Sequence, residues 1–340
     1  MKYFNLDLHI SVIADIKNII HSINPSIEIV NWSLSGHTWV FNKRIDAIKY
    51  INEHTWKHLN LNMIKEFQYH YDSFLSQFDG FIVAHPNSFV LLYEKYNKPI
   101  IMVNSCRYDM PFCFNNNIEM INELHECIKR LSEKKLLTVI SNNKADNDYF
   151  LMGNPNIPTQ IIHSLCLYTN MKWNSSNVLD KFLLYSGELP KYPKYIINKT
   201  NIGKYEWNDL MIFKGIIHIP YEASTMSMFE QVSSEIPLFF PTKEFLKELC
   251  ANKNVRFDCN YWKKFGHTEP PDYLKETNSI NYWIDRAYFY EIKGYYYFES
   301  FEHLYEMLEN FKDSKYSKRV EYVRNRNILD NWKKLYIDSI

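Results

Sequence analysis

Glycine is scarce in this chain, 8 among 340 residues, and no glycine-rich loop follows the first predicted strand. A phosphate cradle built from such a loop is therefore not expected there. Net charge is also lacking: 39 basic residues balance 39 acidic ones, so nothing asks for nucleic acid as a partner. The six cysteines, Cys106, Cys113, Cys127, Cys166, Cys250 and Cys259, contain no C-x-x-C spacing. They read as reduced thiols of a cytoplasmic protein, neither a disulfide framework nor a zinc site. The opening MKYFNLDLHIS has no signal-peptide apolar region. No run of about 18 apolar residues suggests a membrane span. Short-period repeats and low-complexity tracts are absent too. What is present is ample core material, 46% hydrophobic residues, in a length that suggests two domains.

The segment Lys214 to Phe245 organises the rest. Ile216 to Ile219 reads as a buried strand stopped by Pro220. Ser224-Thr225-Met226-Ser227 supplies an N-cap and a first helical turn, the helix runs to about Ser234, and Pro237 to Phe240 reads as the next strand. The unit is βαβ, with its loop at the carboxyl end of a strand, where open α/β sheets bind ligands. Unpaired N–H groups and the positive dipole end at the helix start suit an anion. Glu222 and Glu230 flank the turn, eight residues apart.

Glu222 and Glu230 match the E-x7-E pattern of nucleotide-sugar glycosyltransferases of the GT-B fold, and MFEQVSSEIPLFFPT resembles the run that follows it in that superfamily. Glu235 stands where the family usually has glycine, and Ser224, Thr225 and Ser227 replace the glycines usual between the carboxylates. The resemblance implies two Rossmann-like α/β domains facing across a cleft. It implies an amino-terminal acceptor domain over 1–172, a donor domain over 178–324, and a terminal helix, 325–340, packing back on the first domain. Glu222 would lie near the donor sugar and Glu230 would hold the ribose, with Tyr221 and the turn from Ser224 to Ser227 beside them. The family places a cationic pair behind the first strand of the donor domain. Here KFLLY (181–185) ends at Ser186-Gly187, and only Lys191 and Lys194 offer themselves for the pyrophosphate.

The first half shows the same grammar. Tyr3 to Leu8 reads as a strand and Ile10, Ile13, Ile16, Ile20 and Ile23 step at helical spacing, so Asp7 and His9 sit at a ligand edge. Asp7 also reads as an N-cap. Ser26 to Trp32 is a second strand, with Ser35 and His37 beyond its end. His54 and His58, one helical turn apart, lack the glutamate of a metalloprotease motif and read as a surface helix. Asp79 to Pro86 is an apolar strand ending in His85-Pro86, followed by a helix (FVLLYEKY) and a strand (IIMVN) that ends before Arg107. It resembles the family segment whose histidine approaches the sugar. Arg107 suits a phosphate or carboxylate, or pairs with Asp109. A helix over 118–131 and a strand over 136–140 lead into SNNKADNDYF, read as a polar loop whose Asp146-Asn147-Asp148 is solvated. IIHSLCLYT is read as the last strand of the domain, with His163 and Ser164 towards the cleft, before a linker over 170–178.

Beyond Phe245 the region DCNYWKKFGHTEPPDY reads as a long loop, YYYF (295–298) as the last strand, and SFEHLYEMLENF as a helix capped by Ser300. The tail from Lys315 is amphipathic. Its Lys318, Arg319, Arg324 and Arg326 form a solvated face or a peripheral contact with anionic lipid. The expected activity is metal-independent transfer of a sugar from a nucleotide-diphosphate donor, acting as co-substrate, to a hydroxyl of a glycan, lipid or protein-linked acceptor. His9, Asp7 and His85 are the candidate catalytic residues, and no cofactor or metal is expected. A sugar-nucleotide epimerase or phosphorylase, and a non-catalytic carbohydrate- or nucleotide-binding protein, remain alternatives.

Overall fold

The computed structural model describes residues 1–35, 41, 44–257, 272, 274, 279–292, 294–312 and 318–338, with the backbone alone for 318–323 and 336–338. His37, Cys259 and most of the DCNYWKKFGHTEPPDY stretch lie outside the described residues. The chain divides into two compact units, one built on Met1–Ser164 with Ile328–Ile340, the other on Leu165–Cys259 with Ser279–Asn327.

The first unit runs β1 (Lys2–Asp7), α1 (Ile10–Ile23), β2 (Glu28–Ser33), α2 (Leu61–Leu75), β3 (Gly80–Val83), β4 (Ile100–Asn104), α3 (Ile118–Glu133), β5 (Leu137–Ser141), α4 (Lys144–Gly153) and β6 (Thr159–Ile161). Its sheet order is β2-β1-β3-β4-β5-β6, with every pairing parallel. The inner strands are apolar on both faces because helices or turns cover both. Phe4 meets Trp32, Phe74, Phe78 and Tyr93, and Trp32 stacks flat on Phe74 at 4.6 Å.

The second unit runs β7 (Phe182–Ser186), β8 (Ile196–Asn198), α5 (Trp207–Leu210), β9 (Ile216–His218), α6 (Met226–Ser233), β10 (Leu238–Pro241), α7 (Lys243–Ala251), α8 (Ile280–Ile284), β11 (Tyr296–Phe298) and α9 (Phe301–Glu309). Its sheet, β11-β10-β9-β7-β8, is again wholly parallel. Phe182, Leu184, Ile217, Phe239, Phe298, Leu304 and Leu308 fill its core. The closing helix α10 (Lys318–Asp338) brings Trp332 and Leu335 against Tyr3, Ile20, Ile23, Ile27 and Ile101 of the first unit, around an apolar cavity of about 30 Å³. No helix among the described residues is long and apolar enough to cross a membrane.

Both sheets are doubly wound α/β sheets of the Rossmann type, with the same winding. In each, the first strand sends the chain one way to its second strand, and the third strand continues the other way. The switch points therefore lie between β1 and β3, and between β7 and β9.

Several local expectations change. Within SNNKADNDYF, Ser141 ends β5 and a helix, not a loop, begins at Lys144. Asn143 caps it by accepting from the Asp146 N–H, and Ala145, Tyr149 and Phe150 are buried beneath it. Asp146 is likewise buried, not solvated. FVLLYEKY forms two 3-10 segments, Asn87–Leu92 and Glu94–Tyr96, and HTWKH contributes only a 3-10 turn, Trp56–His58. IIHSLCLYT lies past the short strand β6 and holds a 3-10 turn, Leu167–Thr169. The stretch read as linker is tied to the second unit: the Trp173 N–H donates to the Ser234 carbonyl at 2.9 Å and its indole to the Phe213 carbonyl at 2.8 Å.

Candidate functional site

The carboxyl ends of β7, β8 and β9 gather the second unit's chemistry. Gly187 follows β7 with φ +81, and a Cβ there would stand 2.3 Å from the Ile219 Cβ. Only glycine lets the two strand ends come this close. Below them, His218 is fully buried at the end of β9, its ring between the Ser186 hydroxyl (3.2 Å) and the Gln231 side chain (2.7 Å), stacked on Phe240 at 5.0 Å. Burial holds its pKa down at about 4, so this histidine is a neutral structural tie.

The loop behind β9 carries Tyr221, exposed, and Glu222, whose carboxylate accepts from the Ala223 N–H at 3.0 Å. Thr225 is the N-cap of α6; its hydroxyl accepts from the Met228 N–H and meets the Ser227 hydroxyl at 2.9 Å. Ser224 and Ser227 are half-buried and Met226 is buried. Glu230, one turn on, is 8% exposed and accepts a hydrogen bond from the Tyr168 hydroxyl. Tyr185, near the end of β7, lies beside these groups. Burial first, then the Tyr205 phenol, hold its phenol protonated far above the usual range; Ser227 opposes this and the Glu230 charge adds the least.

The cation of this site is Lys199, which the sequence did not single out. It follows β8, and its ammonium lies 3.8 Å from the centre of the Tyr185 ring and 5.2 Å from that of Tyr205, while the two phenols hydrogen-bond at 2.7 Å. Cation–π contacts hold the ammonium without neutralising it, and among the described residues no carboxylate pairs with it. The two lysines expected for this role are placed elsewhere. Lys194 immediately precedes β8, and its carbonyl accepts from Lys181 at the start of β7, so it marks the opposite, amino edge of the sheet. Lys191 is exposed in the same connection, its backbone bonded to the Tyr305 hydroxyl. The cause is β8 itself: three residues of strand inside YPKYIINKT reverse which lysine reaches the ligand edge.

In the first unit, His9 and His85 face each other across the β1/β3 switch point, ring centres 5.8 Å apart at 81°, with the Leu8 N–H donating to the His85 carbonyl at 2.7 Å. Both are partly accessible. Desolvation, and then the neighbouring His9, hold His85 well below the usual histidine range. The N-cap position of α1 belongs to His9, not Asp7. Asp7 is fully buried, accepting from Asn31 (2.6 Å) and Ser33 (3.1 Å) of β2. Arg107 pairs with Asp146, both side chains 2% exposed, and Asp146 also accepts from Asn143 at 2.6 Å. The Tyr149 hydroxyl donates to Asp109 at 3.0 Å. His163 contacts the Asn142 carbonyl at 2.8 Å, and the Ser164 hydroxyl lies 3.5 Å from the Asn142 amide. Thus His9 and His85 are brought together, whereas Asp7, Arg107 and Ser164 are held inside the fold.

No family model and no curated protein matches this chain. Among solved structures it is similar to the glycotransferase of kitacinnamycin, at 9% identity and TM-score 0.44, over 100% of this chain and 99% of that one. It is also similar to Glycyrrhiza uralensis UGT73P12, solved with glycyrrhetinic acid 3-O-monoglucuronide, at 12% identity and TM-score 0.38, over 99% of each chain. At these values the likeness assigns no activity.

Proposed function

We propose that this protein is a glycosyltransferase whose second unit holds a nucleoside-diphosphate sugar at the β7/β9 switch point. The observation that carries this reading is the set of groups at the carboxyl ends of β7 to β9 and the start of α6: the Thr225 and Ser227 hydroxyls, the Glu230 carboxylate, and the Lys199 ammonium over the Tyr185 ring. A diphosphate needs N–H and O–H donors and a cation; a ribose diol needs a carboxylate acceptor. In this reading Lys199, not Lys191 or Lys194, carries the charge that stabilises the departing diphosphate. Glu222 faces the sugar.

During transfer the acceptor oxygen bonds to the sugar's anomeric carbon, and the bond from that carbon to the diphosphate breaks with its electron pair. The acceptor proton goes to a base if the transfer inverts. His9 suits that role better than Asp7, which is sealed by Asn31 and Ser33, or His85, which desolvation makes a weaker base.

The test is a panel of nucleotide sugars, read by thermal shift and by transfer or hydrolysis. One donor should raise the melting temperature by linkage and turn over. His9→Ala should abolish turnover by an inverting enzyme and leave donor binding intact. Stabilisation without turnover towards any acceptor or water would favour the binding protein, and release of an isomerised sugar nucleotide would favour the epimerase. No stabilisation by any nucleotide would remove the reading.

A further inference from the structure

Tyr168 and Glu230 are 62 positions apart, and the fold makes their contact deliberate in its construction. Tyr168 lies in the 3-10 turn Leu167–Thr169, between Cys166 (φ +55) and Asn170 (φ +51). Two left-handed non-glycine residues bracketing three positions are costly unless the surroundings hold them. They are held. The Ser233 hydroxyl donates both to the Cys166 carbonyl (3.1 Å) and to the carbonyl of Glu230 itself (2.8 Å). The Thr169 hydroxyl closes the turn on Cys166 at 3.2 Å, and the Trp173 N–H reaches the Ser234 carbonyl. The turn is thus fastened to the helix that carries Glu230, one turn beyond it. The Trp207 ring packs edge-on against Tyr168 at 5.5 Å and limits its swing.

We infer that Tyr168 is a positioning residue that sets the Glu230 carboxylate for a vicinal diol, and so makes the site choose ribose over 2′-deoxyribose. This rests on the nucleotide-binding reading above. A glutamate has three side-chain torsions; a fixed donor on one carboxylate oxygen leaves one orientation for the ligand. The phenol therefore acts through Glu230, and its loss should blur selectivity more than it weakens binding as a whole.

The experiment is calorimetric titration of wild type, Tyr168→Phe, Glu230→Gln and the double variant with a ribonucleoside diphosphate and its 2′-deoxy analogue, with circular dichroism as the fold control. Wild type should prefer the ribonucleotide about tenfold or more. Tyr168→Phe should lose most of that preference while its affinity for the deoxynucleotide changes less than about twofold. The double variant should discriminate no worse than Glu230→Gln alone. Equal weakening towards both nucleotides would reduce Tyr168 to a structural residue, and an undiminished ribose preference would equally overturn the inference, each leaving the nucleotide-binding reading intact. Should wild type bind neither nucleotide, both readings fall. Should wild type bind both alike, only the ribose role falls. If Tyr168→Phe proves unfolded, Trp207→Phe, which loosens the same ring, must show the same loss of preference or the inference fails.

Discussion

The two sheets share one winding order but end differently. At the first sheet's carboxyl edge the charges are tied off inside the fold: Asp7 to Asn31 and Ser33, and Arg107 to Asp146. At the second sheet's edge the Lys199 ammonium is held over two phenol rings, with no carboxylate paired to it among the described residues. A charge satisfied inside the fold serves stability, whereas one merely held over rings near the surface can meet a ligand. The same topology thus carries a buried ion pair in one unit and an ammonium held over aromatic rings in the other.

The sharpest way to break this contrast is to remove one charge from each side. Asp146→Asn leaves the Arg107 guanidinium buried without its carboxylate, and should cost about 3–5 kcal/mol of stability in denaturant unfolding. Lys199→Met should cost about 1–2 kcal/mol, the worth of a half-buried cation–π contact, while weakening nucleoside-diphosphate affinity by about 1.5–3 kcal/mol. If Lys199→Met instead unfolded the protein, Lys199 would belong with the charges that serve stability.

Acid should expose a second, smaller difference. Desolvated histidines, the buried His218 and the half-buried His125, both at about 4, have folded values below the unfolded value of about 6.5. Below that unfolded value the unfolded chain takes up protons that the folded one refuses. Stability is therefore full above about pH 6.5 and lost as pH falls towards about 4, by about 3 kcal/mol for His218 alone. Melting temperatures measured from pH 7.5 to pH 4 should decline over that window. A flat profile would mean that these rings charge without penalty.

The smallest expected effect concerns the end of α6. Glu235 sits at φ +65, just past the helix, where a left-handed residue is required and glycine is the unstrained choice. Its ion pair with Lys172 at 3.3 Å is exposed on the lysine side and worth about 1 kcal/mol or less. Glu235→Gly should stabilise the protein by up to about 1 kcal/mol in chemical denaturation, and a loss of stability would show that the ion pair outweighs the strain.

The long apolar strands were legible because buried parallel strands are continuous runs: β1, β3, β4, β5, β7, β9 and β10 all lie on segments recognised by that rule. The helix start at Thr225 was legible from its cap. Shorter or more polar elements were not. α4 hides behind asparagines and aspartates, although Asn143 three residues before Asp146 is a cap signal and Ala145, Tyr149 and Phe150 fit a buried helical face. α7 lay within reach, with Thr242 as cap and Phe245, Leu246 and Leu249 as its buried stripe. β8, three residues at a sheet edge, carried no periodic signal, and with it went the means to prefer Lys199 over Lys194. The contact of Tyr168 with Glu230 depends on a turn folding back on a helix 62 positions away, which no local pattern encodes.

The most direct test of the central claim is a crystal soaked with a nucleoside diphosphate. The diphosphate should lie on the hydroxyls and amides from Ser224 to Ser227, with an oxygen within ion-pair distance of Lys199 Nζ and the ribose against Glu230. Phosphates bound instead beside Asp7, Leu8 and His9 would show that the first unit is the nucleotide-binding one and would contradict it.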